Sequence, residues 1–128
     1  EGLREWARSY RRAFADHPRA VPLLMTHPVT ASVLLAEYED FAVAARAVGW
    51  PDRDILPLLT AFESFILGSV LDMSGPTVVF DPRGQEEQFP TFAAAFATLD
   101  DEDPDDPIAT RAFEMGLEML IASARPPR

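Results

Sequence analysis

Ile55-Leu56-Pro57-Leu58-Leu59-Thr60-Ala61-Phe62-Glu63-Ser64-Phe65-Ile66-Leu67-Gly68-Ser69-Val70-Leu71-Asp72-Met73 is the stretch on which the fold turns. Twelve of these 19 residues are apolar. They do not alternate, and at helical spacing they cover nearly the whole circumference. A helix that is apolar all round has to be covered on more than one side. In a chain of 128 residues, one side meets the chain's own core and the other side meets another protein. Asp52 or Asp54 suits the capping position. Pro57 favours a later start, since proline is tolerated only in the first helical turn. The stretch therefore predicts a helix over about 53–73.

The neighbouring segments read as helices too. Leu3, Trp6, Ala7, Tyr10 and Phe14 recur at three and four, with Arg4, Arg8, Arg11 and Arg12 on the other side, which predicts an amphipathic helix over about 2–16. His17-Pro18 ends it, because proline disfavours helix in the residue before it. A short apolar piece, Ala20 to Met25, runs to Thr26-His27-Pro28. Leu34, Leu35, Tyr38, Phe41, Ala42, Ala45 and Val48 mark a second long helix, closed by Gly49 as a left-handed cap and by Pro51. Residues 74–88 read as a polar loop, with short β character at Thr77-Val78-Val79-Phe80. Phe89-Pro90 opens a helix to about Leu99, and a last helix spans about Ile108 to Ala124. On that last helix Arg111 and Glu114 stand at a pairing distance. The tail from Arg125 is expected to fray. The fold class is all-α, an antiparallel helical bundle of about six helices forming one domain over 1–128.

Composition bounds the chemistry. Cysteine is absent, which removes disulfides, thiolate metal sites and a cysteine nucleophile. There are 11 basic residues against 21 acidic, a net charge of −10, so the surface repels phosphate backbones. The acids concentrate in Asp100-Asp101-Glu102-Asp103-Pro104-Asp105-Asp106, read as a solvated loop; the alternate ligand spacing of a calcium loop is lacking. No run of about 18 apolar residues is found, so no membrane association is expected.

No residue pattern points to catalysis. His17 and His27 each precede a proline at a helix end, where a partly positive ring suits the helix dipole; His27 is kept as a ligand contact. No metal-binding histidine pair, G-x-S-x-G elbow or phosphate-binding glycine pattern occurs, and no cofactor or metal is expected. Trp6, Tyr10, Phe14, Tyr38, Phe41, Phe62 and Phe65 lie on three successive helices, as core residues that can also wall a small-molecule cavity. Glu37 and Glu63 are read as facing water.

Four stretches then resemble the C-terminal effector-binding and dimerisation domain of TetR-family transcriptional repressors, in the branch typified by the tetracycline repressor. They are Leu3-Arg4 through Ala13-Phe14, Phe65-Ile66-Leu67-Gly68-Ser69-Val70-Leu71-Asp72, Phe89-Pro90, and Phe113-Glu114-Met115-Gly116-Leu117-Glu118-Met119-Leu120-Ile121. They occur in the family's order and span nearly the whole chain.

The resemblance implies a homodimer in which the 53–73 helix and the last helix pair with their copies. The interface would use Leu67, Gly68, Leu71, Phe113, Gly116, Leu117, Leu120 and Ile121. It also places Tyr10, Thr26, Glu39, Phe65 and Asp72 at positions of an effector pocket or its gate; with Trp6, Phe14 and Phe62 of the aromatic set and His27 they make up the expected ligand site. The family's magnesium-ligating histidine falls on Leu23, a drug-binding asparagine on Trp6 and a second pocket histidine on Ser64. A small hydrophobic or aromatic effector is therefore expected rather than tetracycline–magnesium. Because the chain starts at Glu1 and lacks the family's helix-turn-helix part, operator DNA would be met only through that missing N-terminal domain of a cytoplasmic regulator. The rival readings are a small helical enzyme, for which no histidine–carboxylate pair is found, and a protein-interaction module without a cavity.

Overall fold

The computed structural model describes residues 2–75, 80–101 and 107–126. Within them the chain forms α1 (Gly2–Ala15), α2 (Val21–Thr26), α3 (Ser32–Ala47), α4 (Asp52–Ser74), α5 (Pro90–Ala97) and α6 (Ile108–Ser123). Short 3-10 turns lie at Pro18–Ala20 and Thr98–Asp101. The described residues contain no strand, and the class is all-α as expected. Thr77 to Val79 and most of the acidic stretch lie outside the described residues.

α4 is the axis, with α1, α3 and α6 packed around it. It supplies Ile55, Leu59, Phe62, Ile66, Leu67 and Val70 to the core, joined by Ala7 and Tyr10 of α1, Val21 of α2, Phe41 and Ala45 of α3, and Phe113 and Leu117 of α6. Phe62, Phe113, Ile66, Leu67 and Leu117 are each less than 2% exposed. Side chains of that size contribute about 1.5–3 kcal/mol each on full burial.

The start of α4 differs from expectation. The helix begins at Asp52, so Pro57 stands inside it and forfeits one backbone hydrogen bond. Neither Asp52 nor Asp54 makes a side-chain cap bond; both favour the helix dipole from the first turn instead. Asp52 also accepts from Arg46 Nε at 2.9 Å, which fastens the α3–α4 turn. Gly49 takes the left-handed conformation there, at φ 101°. A Cβ added to Gly49 would come within 3.7 Å of Pro126, so the tail folds back over this turn at least as far as Pro126. By length and composition alone α4 is long and apolar enough to cross a membrane, although its apolar residues form no unbroken run of about 18. In this fold those apolar side chains serve as the core of a bundle.

α1 departs from its amphipathic reading in one informative respect. Arg11, placed on the polar side, is only 9% exposed. Its Nε donates to Ser69 Oγ at 3.1 Å, a terminal nitrogen donates to the Ala109 carbonyl at 3.2 Å, and the guanidinium lies 4.4 Å from the Phe113 ring centre. Arg8 and Arg4 make paired hydrogen bonds to Glu114 and Glu118 on α6. Glu114 is thus engaged by α1, and the arginine face of α1 is its docking face for α6.

Candidate functional site

A cavity of about 510 Å³ opens where the start of α1, the second half of α3, the first half of α4 and the end of α6 converge. α1 contributes Leu3 and Trp6, α3 contributes Asp40, Phe41, Ala44, Ala45 and Val48, and α4 contributes Leu58 and Phe62. Trp50 closes it from the α3–α4 turn, and Ile121 and Ala124 from α6. The α3 residues follow from helical spacing: 41, 44, 45 and 48 share one face and 40 stands at its edge. The walls are aromatic and continuous, with the Trp6 and Phe41 rings 5.1 Å apart and Phe41 and Phe62 6.2 Å apart. Trp6 Nε1 is buried and has no hydrogen-bond partner. A buried donor left unpaired costs on the order of 1–3 kcal/mol. Volume and lining are those of a small-molecule site.

Beside the cavity, Tyr10 and Tyr38 both donate to the same oxygen of Glu63, at 2.5 and 2.6 Å. One carboxylate thus ties α1 and α3 to α4. Burial, and then the hydrogen bond to Glu63, raise both tyrosine hydroxyls above their ordinary pKa. The Tyr10 ring also touches Trp6 at 5.4 Å and Phe14 at 5.2 Å, so the clasp adjoins the cavity wall.

The structure sorts the expected ligand residues. Trp6 and Phe62 line the cavity. Tyr10 stands one ring behind it in the clasp, and Phe14 packs on Tyr10. Phe65 is turned toward α6, stacked on Phe113 at 5.6 Å, and is absent from the cavity lining. Thr26 and His27 are exposed and bond locally to the Pro22 and Leu23 carbonyls. Glu39 and Asp72 are exposed and not part of the wall.

The carboxylate at the cavity is Asp40, one residue on from Glu39. The phase of Phe41, Ala45 and Val48 identifies it, since Glu39 falls on the opposite side of α3. Glu63, read as facing water, is half-buried because it lies between Leu59 and Leu67 on a buried stripe of α4. Trp50 carried no sequence signal beyond its place beside Gly49.

The expected interface residues divide likewise. Leu67, Phe113 and Leu117 are buried within the chain itself and hold α4 against the rest of the core. They are therefore unsuited to contact with a partner. Ile121 lines the cavity, and Leu120 packs on the core. Gly116 admits the Phe65 ring: a Cβ there would lie 2.6 Å from it. Gly68 faces open space and Leu71 is 44% exposed. On α6 the large exposed apolar residues are Met115 and Met119.

Among the described residues no cluster suited to a metal ion occurs. An all-helical bundle hollowed by an apolar cavity is the class that the fold and site define. Residues 1–124 match the tetracyclin repressor-like, C-terminal domain, and the chain belongs to that family of regulatory, ligand-binding and dimerising domains. A search of curated proteins returns no significant match.

Proposed function

We propose that this domain is the effector-sensing and dimerising part of a TetR-like transcriptional regulator that works in the cytoplasm. A small hydrophobic or aromatic molecule fills the cavity, and its occupancy alters DNA binding by a helix-turn-helix domain joined to this one. The observation that carries the reading is the cavity itself, walled by Trp6, Phe41, Trp50 and Phe62. Such a molecule switches the regulator only if it binds the two conformations unequally. Dimerisation is assigned to the outward faces of α4 and α6, at Ser64, Gly68, Leu71, Met115 and Met119. These positions are exposed and lie on either side of the Phe65–Gly116 seam.

Native mass spectrometry tests both parts. A dimer that retains a small molecule, and loses it with Trp6→Ala or Phe62→Ala, is the expected result. A chain that stays monomeric at tens of micromolar overturns the dimer. A dimer whose bound molecule survives both substitutions overturns the placement of the site.

A further inference from the structure

The charges around the cavity narrow the class of molecule it takes. Among the described lining residues one side chain is charged, and it is Asp40. No arginine lines the wall. The basic residue nearest along α3, Arg46, is bonded to Asp52. Arg4 and Arg8 on α1 are drawn to Glu118 and Glu114. Asp40 sits at the edge of the α3 face that bears Phe41 and Ala44, so its carboxylate stands at the rim, with the rings deeper in.

Those rings favour the same sign. Trp6, Trp50, Phe41 and Phe62 present aromatic surface to the cavity. Aromatic faces attract cations, indoles most strongly. The net charge of −10 adds a long-range field that draws cations and repels anions.

We infer that the cavity selects a lipophilic cation: a bulky aromatic molecule with one positive charge that meets Asp40 while its rings lie against the tryptophans. The inference rests on the proposal that this cavity is the effector site.

The chain contains two tryptophans, and both line the cavity, so intrinsic fluorescence reports on it directly. The probes are tetraphenylphosphonium and tetraphenylborate, nearly the same shape with opposite charge, and neutral triphenylphosphine oxide, all titrated in sodium buffer. The cation is expected to quench saturably and to bind about tenfold tighter than the anion. Asp40→Asn is expected to weaken the cation about threefold or more and to leave the neutral probe unchanged. Glu39→Gln, the same loss of charge on the opposite face of α3, is expected to leave all three unchanged. Equal affinity for the three probes, or equal effects of Asp40→Asn and Glu39→Gln, would overturn the cation selectivity while leaving the cavity a ligand site. No saturable quenching by any probe would overturn the cavity reading itself.

Discussion

The bundle and the arm that carries α5 are built from similarly apolar sequence and end in different states. α5 reads Pro-Thr-Phe-Ala-Ala-Ala-Phe-Ala without a single charge, yet none of its residues is buried. Phe80, Phe89 and Phe92 of the arm are each 45% exposed. Its contacts are largely its own: Phe80 meets Phe92 edge-on at 5.3 Å, Arg83 approaches the Phe96 ring at 5.8 Å, and α5 rests on the turn that follows it. α1 carries four arginines and still places Ala7, Tyr10 and Arg11 inside. Burial therefore follows complementarity. α1 offers donors where α4 and α6 offer Ser69, Glu114 and Glu118, whereas α5 offers apolar surface that no helix of the bundle covers closely among the described residues.

Substitutions can break or sharpen this contrast. Phe113→Ala should have the largest effect, a loss of about 3–5 kcal/mol in urea unfolding, because it opens a cavity and removes the partner of Phe65 and Arg11. A loss below 1 kcal/mol would mean that the α4–α6 seam is not the heart of the core. Next come two glycines, Gly116 within that seam and Gly68 on the open face beside it. Gly116→Ala should cost about 1–3 kcal/mol by displacing the Phe65 ring. Gly68→Ala should stabilise the fold by about 0.5–1 kcal/mol through helix propensity and so raise the melting temperature, since nothing stands in its way. Sedimentation of the Gly68 variant then shows whether a partner copy needs that space.

The tyrosine clasp comes third. Tyr10→Phe should cost about 1–2 kcal/mol. It should also change the pH profile. The native hydroxyls keep their protons above the pH at which an unfolded tyrosine ionises, about 10. The stability they lend is thus complete below about pH 10 and declines as pH rises beyond it. Urea midpoints from pH 8 to 11 should fall more steeply for the wild-type chain than for Tyr10→Phe/Tyr38→Phe; parallel curves would remove the clasp from the account. Smallest is Phe92→Ala, expected to shift stability by less than about 0.5 kcal/mol, because its ring lies outside the core. A loss comparable to that of Phe113→Ala would show the arm packed as tightly as the bundle.

Much of the fold was legible because its elements announce themselves locally. Gly49 and Pro51 ended α3 where expected, and Phe89-Pro90 opened α5 at Pro90. Helix phase was harder to read. α4 is apolar all round, so nothing local told Leu67 from Leu71; one is fully buried and the other 44% exposed. The same ambiguity hid Glu63, whose stripe of α4 is covered by Tyr10 of α1 and Tyr38 of α3. α1 misled in the opposite sense, because an arginine face looks solvated until acceptors on another helix are known. At the cavity, Trp6 and Phe62 were within reach as aromatics on core faces. Asp40 lay one residue from the carboxylate singled out by resemblance, where the phase of α3 alone decides between neighbours.

The shared oxygen of Glu63 would set a threshold on how the bundle responds to a molecule placed in its hollow end. Two hydroxyls at 2.5 and 2.6 Å from one acceptor belong to two different helices, and one of them is carried on a ring that touches Trp6. Hydrogen bonds tolerate a few tenths of an ångström and weaken steeply near 3.5 Å. A small push on the indole would be absorbed as elastic give. A larger push would break the Tyr10 bond at that one atom while Arg11 still holds α1 to Ser69 of α4, so the clasp would answer in the manner of a latch rather than a spring.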